Sequence, residues 1–192
     1  MAPPAKFAHV VYKTRNLGQM IDWYIKVLEC KVQTRTDQLA FLTYDEEHHR
    51  IAFVNLGPAE TAEERPGPSF FRPEVGVHHV AYTWSTLGDL IDVYKRLKAD
   101  GILPIYNVRH GPTLSMYYAD PDGNSMEFQV DLMDADNANA FMQGPAFASN
   151  PVGEPFEPEE LVAGVEAGRP LEELVLRSDQ KAPAGGLALV LA

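Results

Sequence analysis

Two histidines and one glutamate are the side chains in this sequence whose types and spacing best suit chemistry. His9 lies in the run FAHVVY and His79 in the run GVHHVAY, and both runs have the β-branched and apolar composition of strands. Glu127 lies in a third such run, SMEFQV. Two imidazoles and one carboxylate occupy one side of a metal ion and leave its other positions open, as in facial non-haem Fe(II) sites. This donor set predicts a metal site with His9, His79 and Glu127 as ligands.

Strand parity supports the same choice. Side chains alternate across a strand, so His9 shares a face with Val11, and His79 shares one with Ala81. The opposite faces carry the larger apolar side chains, which suit packing against a helix: Val10, Tyr12, Val80, Tyr82, Met126, Phe128 and Val130. We expect the histidines and Glu127 to line a cavity where two curved sheets meet. His78 is the rival of His79, and parity favours His79.

The elements that must position these residues occur twice along the chain. Shifting residues 7–28 by 70 aligns eight identical residues without a gap, including His9 with His79. Each copy has the pattern of a strand, a helix and three further strands, which predicts an α+β fold of two tandem βαβββ modules around a metal cavity. The modules would be residues 7–56 and 77–130, joined by a linker at 57–76. Together they would form one metal-site domain over residues 1–130.

The individual elements follow from periodicity and capping residues. The first module is predicted to have a helix at 17–28 capped by Asn16, and strands at 7–13, 31–35, 39–44 and 50–56. The second is predicted to have a helix from about 87 to 100 capped by Thr86, and strands at 77–83, 103–108, 113–119 and 125–130. Residues 131–192 form a C-terminal extension that packs on this domain or on a partner subunit. In the extension we expect helices at 132–142, from Pro158 and at 170–177, a proline-bearing loop at 144–158, and little pattern from 182 onward.

The carboxylate ligand is not duplicated. Aligning residues 39–54 with 114–129 places Ala52 opposite Glu127 and Leu42 opposite Tyr117. The first module therefore supplies one ligand and the second supplies two, which predicts one metal site per chain.

Composition narrows the class of protein. The net charge of −11 over 192 residues argues against a broad nucleic-acid surface and against an anionic membrane surface. One cysteine, Cys30, allows no intrachain disulfide, which fits a reducing cytoplasm, and we interpret it as a small buried residue. No apolar run is long enough to span a bilayer, and the N-terminus lacks an apolar signal core. We therefore expect a cytoplasmic protein.

The paired modules, the strand histidines and the stretch YYADPDGNSMEF at 117–128 together resemble the vicinal oxygen chelate superfamily of glyoxalase, bleomycin resistance and dioxygenase proteins. The resemblance covers residues 7–130 and is strongest to the type I extradiol ring-cleaving dioxygenases. The Asp-Pro-x-Gly-Asn-x-x-Glu turn is shared across the superfamily. Tyr117, ten residues before Glu127, and the preceding Arg109-His110-Gly111 point to the extradiol group.

The resemblance implies an enzyme that opens the ring of a catechol-like aromatic diol with O2, using Fe(II), or else Mn(II) or another divalent metal. In that reading Tyr117 hydrogen-bonds the bound diol, and His110 is the best available acid–base group because its reference pKa is near neutral. The resemblance also implies a further histidine shortly before His79, and residues 57–77 contain none. A homodimer is expected from the family.

Two other functions fit the same sequence. The scaffold also carries divalent-metal isomerases, epimerases and lyases that act through an enediolate. Two-module members can also bind a small molecule without a metal. Bland alternatives apply to single residues as well: Tyr117 could fill the core, His110 could be a loop residue, and His48 and His49 are interpreted as solvated residues of a hairpin turn.

Overall fold

The computed structural model describes residues 3–58 and 67–180, which divide into two compact units. The first unit is Met1–Val75 with Asp120–Asn124, and the second is Gly76–Ala119 with Ser125–Ala192. The end of the predicted extension at 182–192 and part of the predicted linker lie outside the described residues. Within the described ranges, none of the helices combines the length and apolar character that crossing a membrane requires.

The first unit is a four-stranded sheet with one helix. Its elements are β1 (Val10–Thr14), α1 (Leu17–Leu28), β2 (Lys31–Arg35), β3 (Leu39–Thr43) and β4 (Ile51–Asn55). The strand order is β1-β4-β3-β2, with β1 parallel to β4 and the other pairs antiparallel. Helix α1 contacts β4 and buries the apolar stripe Leu17, Met20, Ile21, Tyr24 and Val27. A 3-10 turn at Ser69–Phe71 follows.

Asn16 occupies the N-cap position of α1 as predicted, but it lacks the side-chain contact of a cap. Asn16 precedes α1, but its side chain makes no capping hydrogen bond to the helix. Its backbone (φ −123°, ψ 44°) departs from the extended conformation that directs a cap side chain at the helix N–H groups. The side chain instead donates from Nδ2 to Asp122 Oδ1 at 2.7 Å.

The second unit repeats the same order and adds to it. Its elements are β5 (Val80–Trp84), α2 (Leu87–Ala99), β6 (Tyr106–Arg109), β7 (Thr113–Ala119) and β8 (Ser125–Asp131). The strand order is β5-β8-β7-β6-β9, where β9 (Glu154–Pro155) comes from the C-terminal extension, and the first strand is again parallel to the last strand of the module. Thr86 caps α2 as predicted, in a reciprocal capping box with Asp89. The α+β fold of two βαβββ modules is confirmed.

The registers of the two sheets test the internal alignment. Ala52 pairs with Val11 on β1, and Glu127 pairs with Ala81 on β5, so Ala52 and Glu127 occupy equivalent positions. The cross-strand partner of Ala52 is Phe41, whereas that of Glu127 is Tyr117. The alignment of Leu42 with Tyr117 is therefore wrong by one residue, because the connection between the paired positions is one residue longer in the first module.

The C-terminal extension is more ordered than its prolines predict. It contains α3 (Ala135–Met142), α4 (Pro145–Ser149), β9 (Glu154–Pro155), α5 (Pro158–Glu166), α6 (Leu171–Val175) and a 3-10 turn at Ser178–Gln180. The predicted loop at 144–158 thus holds a short helix and a strand, and β9 pairs antiparallel with β6. Proline occupies the first turn of both α4 and α5, where its missing N–H costs no helical hydrogen bond.

Candidate metal and catalytic site

The site in the second unit is built around Glu127, which is 6% exposed. Strand β8 places it beside Tyr117 of β7. Its Oε2 lies 3.0 Å from Nε2 of His79, and its Oε1 lies 3.5 Å from Nε2 of His110. Ser115 and Tyr117 also hydrogen-bond the carboxylate. One buried acid thus meets polar atoms of four side chains of the same unit.

These hydrogen bonds determine the charge of Glu127. Burial alone would raise the pKa of this carboxyl, but the bonds from His110, His79, Ser115 and Tyr117 outweigh it and hold the pKa far below its usual range. Within residues 3–58 and 67–180, Glu127 pairs with His79 and His110 and with no lysine or arginine. A buried anion of this kind is suited to a metal ion.

The pair formed by His79 and Glu127 fits a common metal ion. Their facing atoms are 3.0 Å apart, and two ligands at about 2.1 Å from one ion and at right angles to each other are separated by ~3.0 Å. The His79 ring packs edge-on against Tyr117, with 5.3 Å between ring centroids. Its neighbour His78 is exposed and meets His79 through their Nδ1 atoms, at 2.7 Å. The geometry supports His79 over His78, and the ligand assignment remains a prediction.

His110 lies in the loop between β6 and β7, and both of its ring nitrogens have partners. Nδ1 is 2.6 Å from the carbonyl oxygen of Val152, and Nε2 is 3.0 Å from the hydroxyl oxygen of Tyr117. A carbonyl oxygen only accepts hydrogen bonds, so Nδ1 carries a proton. The other ring nitrogen, Nε2, faces Tyr117 and Glu127.

Tyr117 is buried and remains a neutral phenol. Burial raises its pKa, and the neighbouring negative charge of Glu127 raises it further. Its hydroxyl group therefore keeps its proton as a hydrogen-bond donor. The alternative that Tyr117 only fills the core does not account for the polar partners of this hydroxyl.

His9 lies in the first unit, just before β1, and is exposed. Its ring is 4.4 Å from the ring of His49, measured between centroids. His49 also packs edge-on against Phe41, and burial followed by the charges of His9 and His48 lowers its pKa. His49 thus lies in the turn between β3 and β4 as predicted but is partly buried by these rings, whereas His48 is exposed as expected.

The signal that identifies His49 was present in the strand pattern. Val10 pairs with Ile51 in the parallel ladder, and Val10 N–H donates to the carbonyl oxygen of Arg50. Residues that precede two paired parallel strands lie side by side, so His49 reaches His9. The contact between His9 and His49 could be predicted only if the first and last strands of the module were known to pair in parallel.

In the part of the chain that the structure describes, no group of three or more His, Cys, Asp or Glu side chains has the arrangement of a metal site. The second unit brings together His79, Glu127, His110 and Tyr117. His9 belongs to the first unit, so its role as the third ligand stays a prediction.

Comparison with known proteins places this geometry in context. The family model of the Glyoxalase/Bleomycin resistance protein/Dioxygenase superfamily matches residues 6–128. Biphenyl-2,3-diol 1,2-dioxygenase 2 of Rhodococcus globerulus is 43% identical over 91% of this chain and 88% of its own length. Biphenyl-2,3-diol 1,2-dioxygenase 3 of the same organism is 38% identical over 93% and 91%. A lactoylglutathione lyase structure from Agrobacterium tumefaciens shares the fold, with a TM-score of 0.52 at 18% identity over 67% of this chain and 96% of its own.

Proposed function

Because the chain belongs to the Glyoxalase/Bleomycin resistance protein/Dioxygenase superfamily, we propose that it is an extradiol-type dioxygenase that opens the ring of a catechol-like aromatic diol with O2. The observation that carries this proposal is the similarity to two biphenyl-2,3-diol 1,2-dioxygenases over nearly the whole chain. The cluster of Glu127, His79, Tyr117 and His110 supplies the kinds of groups that such chemistry requires.

The proposed enzyme uses a divalent metal held by His9, His79 and Glu127. The anionic Glu127 and the facing His79 nitrogen fit such an ion, and His9 completes the facial set. When bound, the ion lowers the pKa of the diol hydroxyl groups by Lewis acidity. We propose Fe(II) as the metal, with Mn(II) as the alternative.

The protein's own groups then orient the diol and handle its protons. Tyr117 is a neutral phenol beside Glu127, so it donates a hydrogen bond to an oxygen of the substrate. His110 donates its Nδ1 proton in a hydrogen bond to the carbonyl oxygen of Val152, so its acid–base role toward the diol or the opened product falls to Nε2. These two residues form the acid–base side of the site in the second unit.

His49 supplies a further imidazole beside a proposed ligand. The resemblance to extradiol enzymes implies a proton-carrying histidine that residues 57–77 do not contain. The contact between His49 and His9 makes His49 the candidate for that role. His48 is its exposed neighbour and the natural control for a substitution at this position.

Location and assembly are also proposed. The chain has one cysteine, Cys30, and so no intrachain disulfide, which fits a reducing compartment, for which we propose the cytoplasm. The homodimer rests on the family resemblance. Sedimentation velocity of the purified chain would give the subunit number directly.

The experiment that tests the function combines metal loading with oxygen uptake. The full-length chain is loaded with Fe(II) without air, its metal content is measured, and O2 consumption is followed with a catechol panel that includes biphenyl-2,3-diol. We expect one O2 to be consumed per diol and both oxygen atoms to enter the product. Turnover with Ni(II), Co(II) or Mn(II) and no O2 uptake would instead support an isomerase or lyase. A chain with no affinity for any of these metals would support a binding protein.

A further inference from the structure

Arg177 of the C-terminal extension is a fully buried arginine, with a side chain 0% exposed. Its charge is balanced by Asp179, which accepts from Nε at 3.0 Å and from Nη2 at 2.6 Å. The same guanidinium donates from Nη1 to the backbone oxygens of His110, at 3.1 Å, and Asn150, at 2.8 Å. Its planar fork thus joins the loop that carries His110 to the turn that begins at Asn150.

That turn provides the partner of the His110 ring. The Asn150 side chain accepts from Gly153 N–H and donates to the Gly153 carbonyl oxygen, both at 2.9 Å. These two bonds hold the intervening Val152 so that its carbonyl oxygen meets Nδ1 of His110 at 2.6 Å. Arg177 therefore contacts both the backbone of His110 and the turn that receives its ring proton.

Close packing leaves this arrangement little freedom. A Cβ added to Gly153, which has φ +105°, would lie 2.2 Å from the carbonyl oxygen of Arg109. A Cβ added to Gly111 would lie 2.5 Å from the Phe141 ring, and that ring is 5.6 Å from the Arg177 guanidinium. Both glycines are conditions for the close approach of the extension to the loop.

We propose that the extension positions His110, with Arg177 as the positioning residue and the turn from Asn150 to Gly153 as the acceptor that keeps the ring proton on Nδ1. The consequence is that Nε2 is the ring nitrogen held toward the hydroxyl group of Tyr117 and the carboxylate of Glu127. Partners that fix the tautomer and orientation of a histidine in this way commonly matter as much as the groups they support. The part of the proposal that concerns turnover rests on the dioxygenase function proposed above.

The structural test reads the tautomer of His110 without any turnover. Long-range proton–nitrogen NMR of the full-length chain, labelled with 15N-histidine and freed of paramagnetic metal, reports which ring nitrogen carries the proton at a pH where the ring is neutral. The signal is assigned by its loss in His110→Gln. We expect the proton on Nδ1 in the parent chain and a mixture of both tautomers in Arg177→Met and in Asn150→Ala.

The functional test asks whether Arg177 acts through His110. Arg177→Met should lower kcat by about 10- to 100-fold in the parent chain but by less than about threefold in the His110→Gln background, because coupled residues are not additive. Arg177→Lys keeps the charge without the fork, so it should recover part of the loss. Arg169→Met, which removes an exposed arginine that pairs with Glu173 in the same extension, should leave kcat unchanged.

Several outcomes would overturn the inference. One is an unchanged Nδ1 tautomer in folded Arg177→Met and Asn150→Ala; another is an equal loss of kcat in both His110 backgrounds. If Arg177→Met does not fold, the same NMR measurement on Asn150→Ala tests the proposal by itself, because Asn150 is only half-buried. If the parent chain turns over no diol, the dioxygenase proposal fails, while the NMR arm still decides whether the extension fixes His110.

Discussion

Glu127 combines two properties that rarely coexist in one carboxylate: it is buried, and it stays ionised. Leaving one unpaired charge in a protein interior costs several kcal/mol, so its partners must supply compensation. In this chain they are His79, His110, Ser115 and Tyr117, and none of them is a lysine or an arginine. The site therefore holds a buried negative charge that suits a cation. The predictions for single residues follow from that charge.

Substitutions at His79 and His78 should show which of the two histidines binds the metal. His79→Ala removes the nitrogen that faces Glu127 and should abolish binding of Fe(II), whereas His78→Ala removes an exposed ring and should retain it. Metal content after anaerobic loading, with calorimetric titration of Fe(II), measures both. The reverse pattern would show that His78 is the ligand.

Tyr117 can be tested against the tyrosine beside it. Tyr117→Phe keeps the buried ring but removes the hydroxyl group that meets His110 and Glu127, so kcat should fall by about 10- to 100-fold. Tyr118→Phe is the matched control, because the hydroxyl of Tyr118 lies 4.0 Å from Met116 Sδ in the same strand. Steady-state kinetics with one diol measures both variants, and equal losses would contradict a specific role for Tyr117.

At the scale of elements, the caps of the two module helices make a contrasting pair. Thr86→Ala removes the capping box of α2 and should lower the free energy of unfolding by about 1 kcal/mol. Urea unfolding followed by circular dichroism measures it, and the metal content should not change. Restoring the cap with Thr86→Ser should recover most of the loss, and an unchanged midpoint in Thr86→Ala would contradict the capping role.

The elements show what the sequence could and could not predict. Helix α1 and strand β7 begin and end where periodicity and turn residues place them, because apolar spacing and local caps act over a few residues. Strand β9 could not be predicted from the sequence, because two residues carry no hydrophobic pattern of their own and pair only where β6 has a free edge.

The site divides in the same way. Glu127 and His79 followed from residue type and parity, which are properties of single strands. The contact of His49 with His9 and the support of His110 by Arg177 depend on which segments are neighbours, so they required the fold.

The whole molecule should lose stability in acid. The pKa of Glu154 is lowered by the Ser178 hydroxyl, that of Glu159 by Lys98, and that of Asp134 by the N–H of Asn137. A carboxyl with a lowered folded pKa contributes stability above its unfolded pKa and loses it as the pH falls through the folded value. Burial raises the pKa of Asp120, which acts in the opposite direction.

Among the described residues, six carboxyl groups have a lowered pKa, namely these three with Asp45, Glu47 and Glu127, and one has a raised pKa. Together they predict a thermal midpoint that falls as the pH drops below the ordinary carboxyl values of 4.5 and 3.8. Thermal unfolding across a pH series measures it. Glu154→Gln should make the decline shallower, since one contributing group no longer titrates. A midpoint that rises on acidification would show that Asp120 outweighs the others.

The short strand β9 also affects the tendency of the protein to aggregate. An uncovered sheet edge is a template on which another chain can add a strand and begin aggregation. The second sheet covers its β6 edge with two residues, one of them Pro155, which has no N–H to offer a further strand. The first sheet ends in β2, an exposed strand interrupted by a bulge between Val32 and Thr34 and bearing Lys31 and Arg35. The β6 side of the second sheet and the β2 edge of the first are thus protected against fibrous self-association by different features, and the extension that supports His110 supplies one of them.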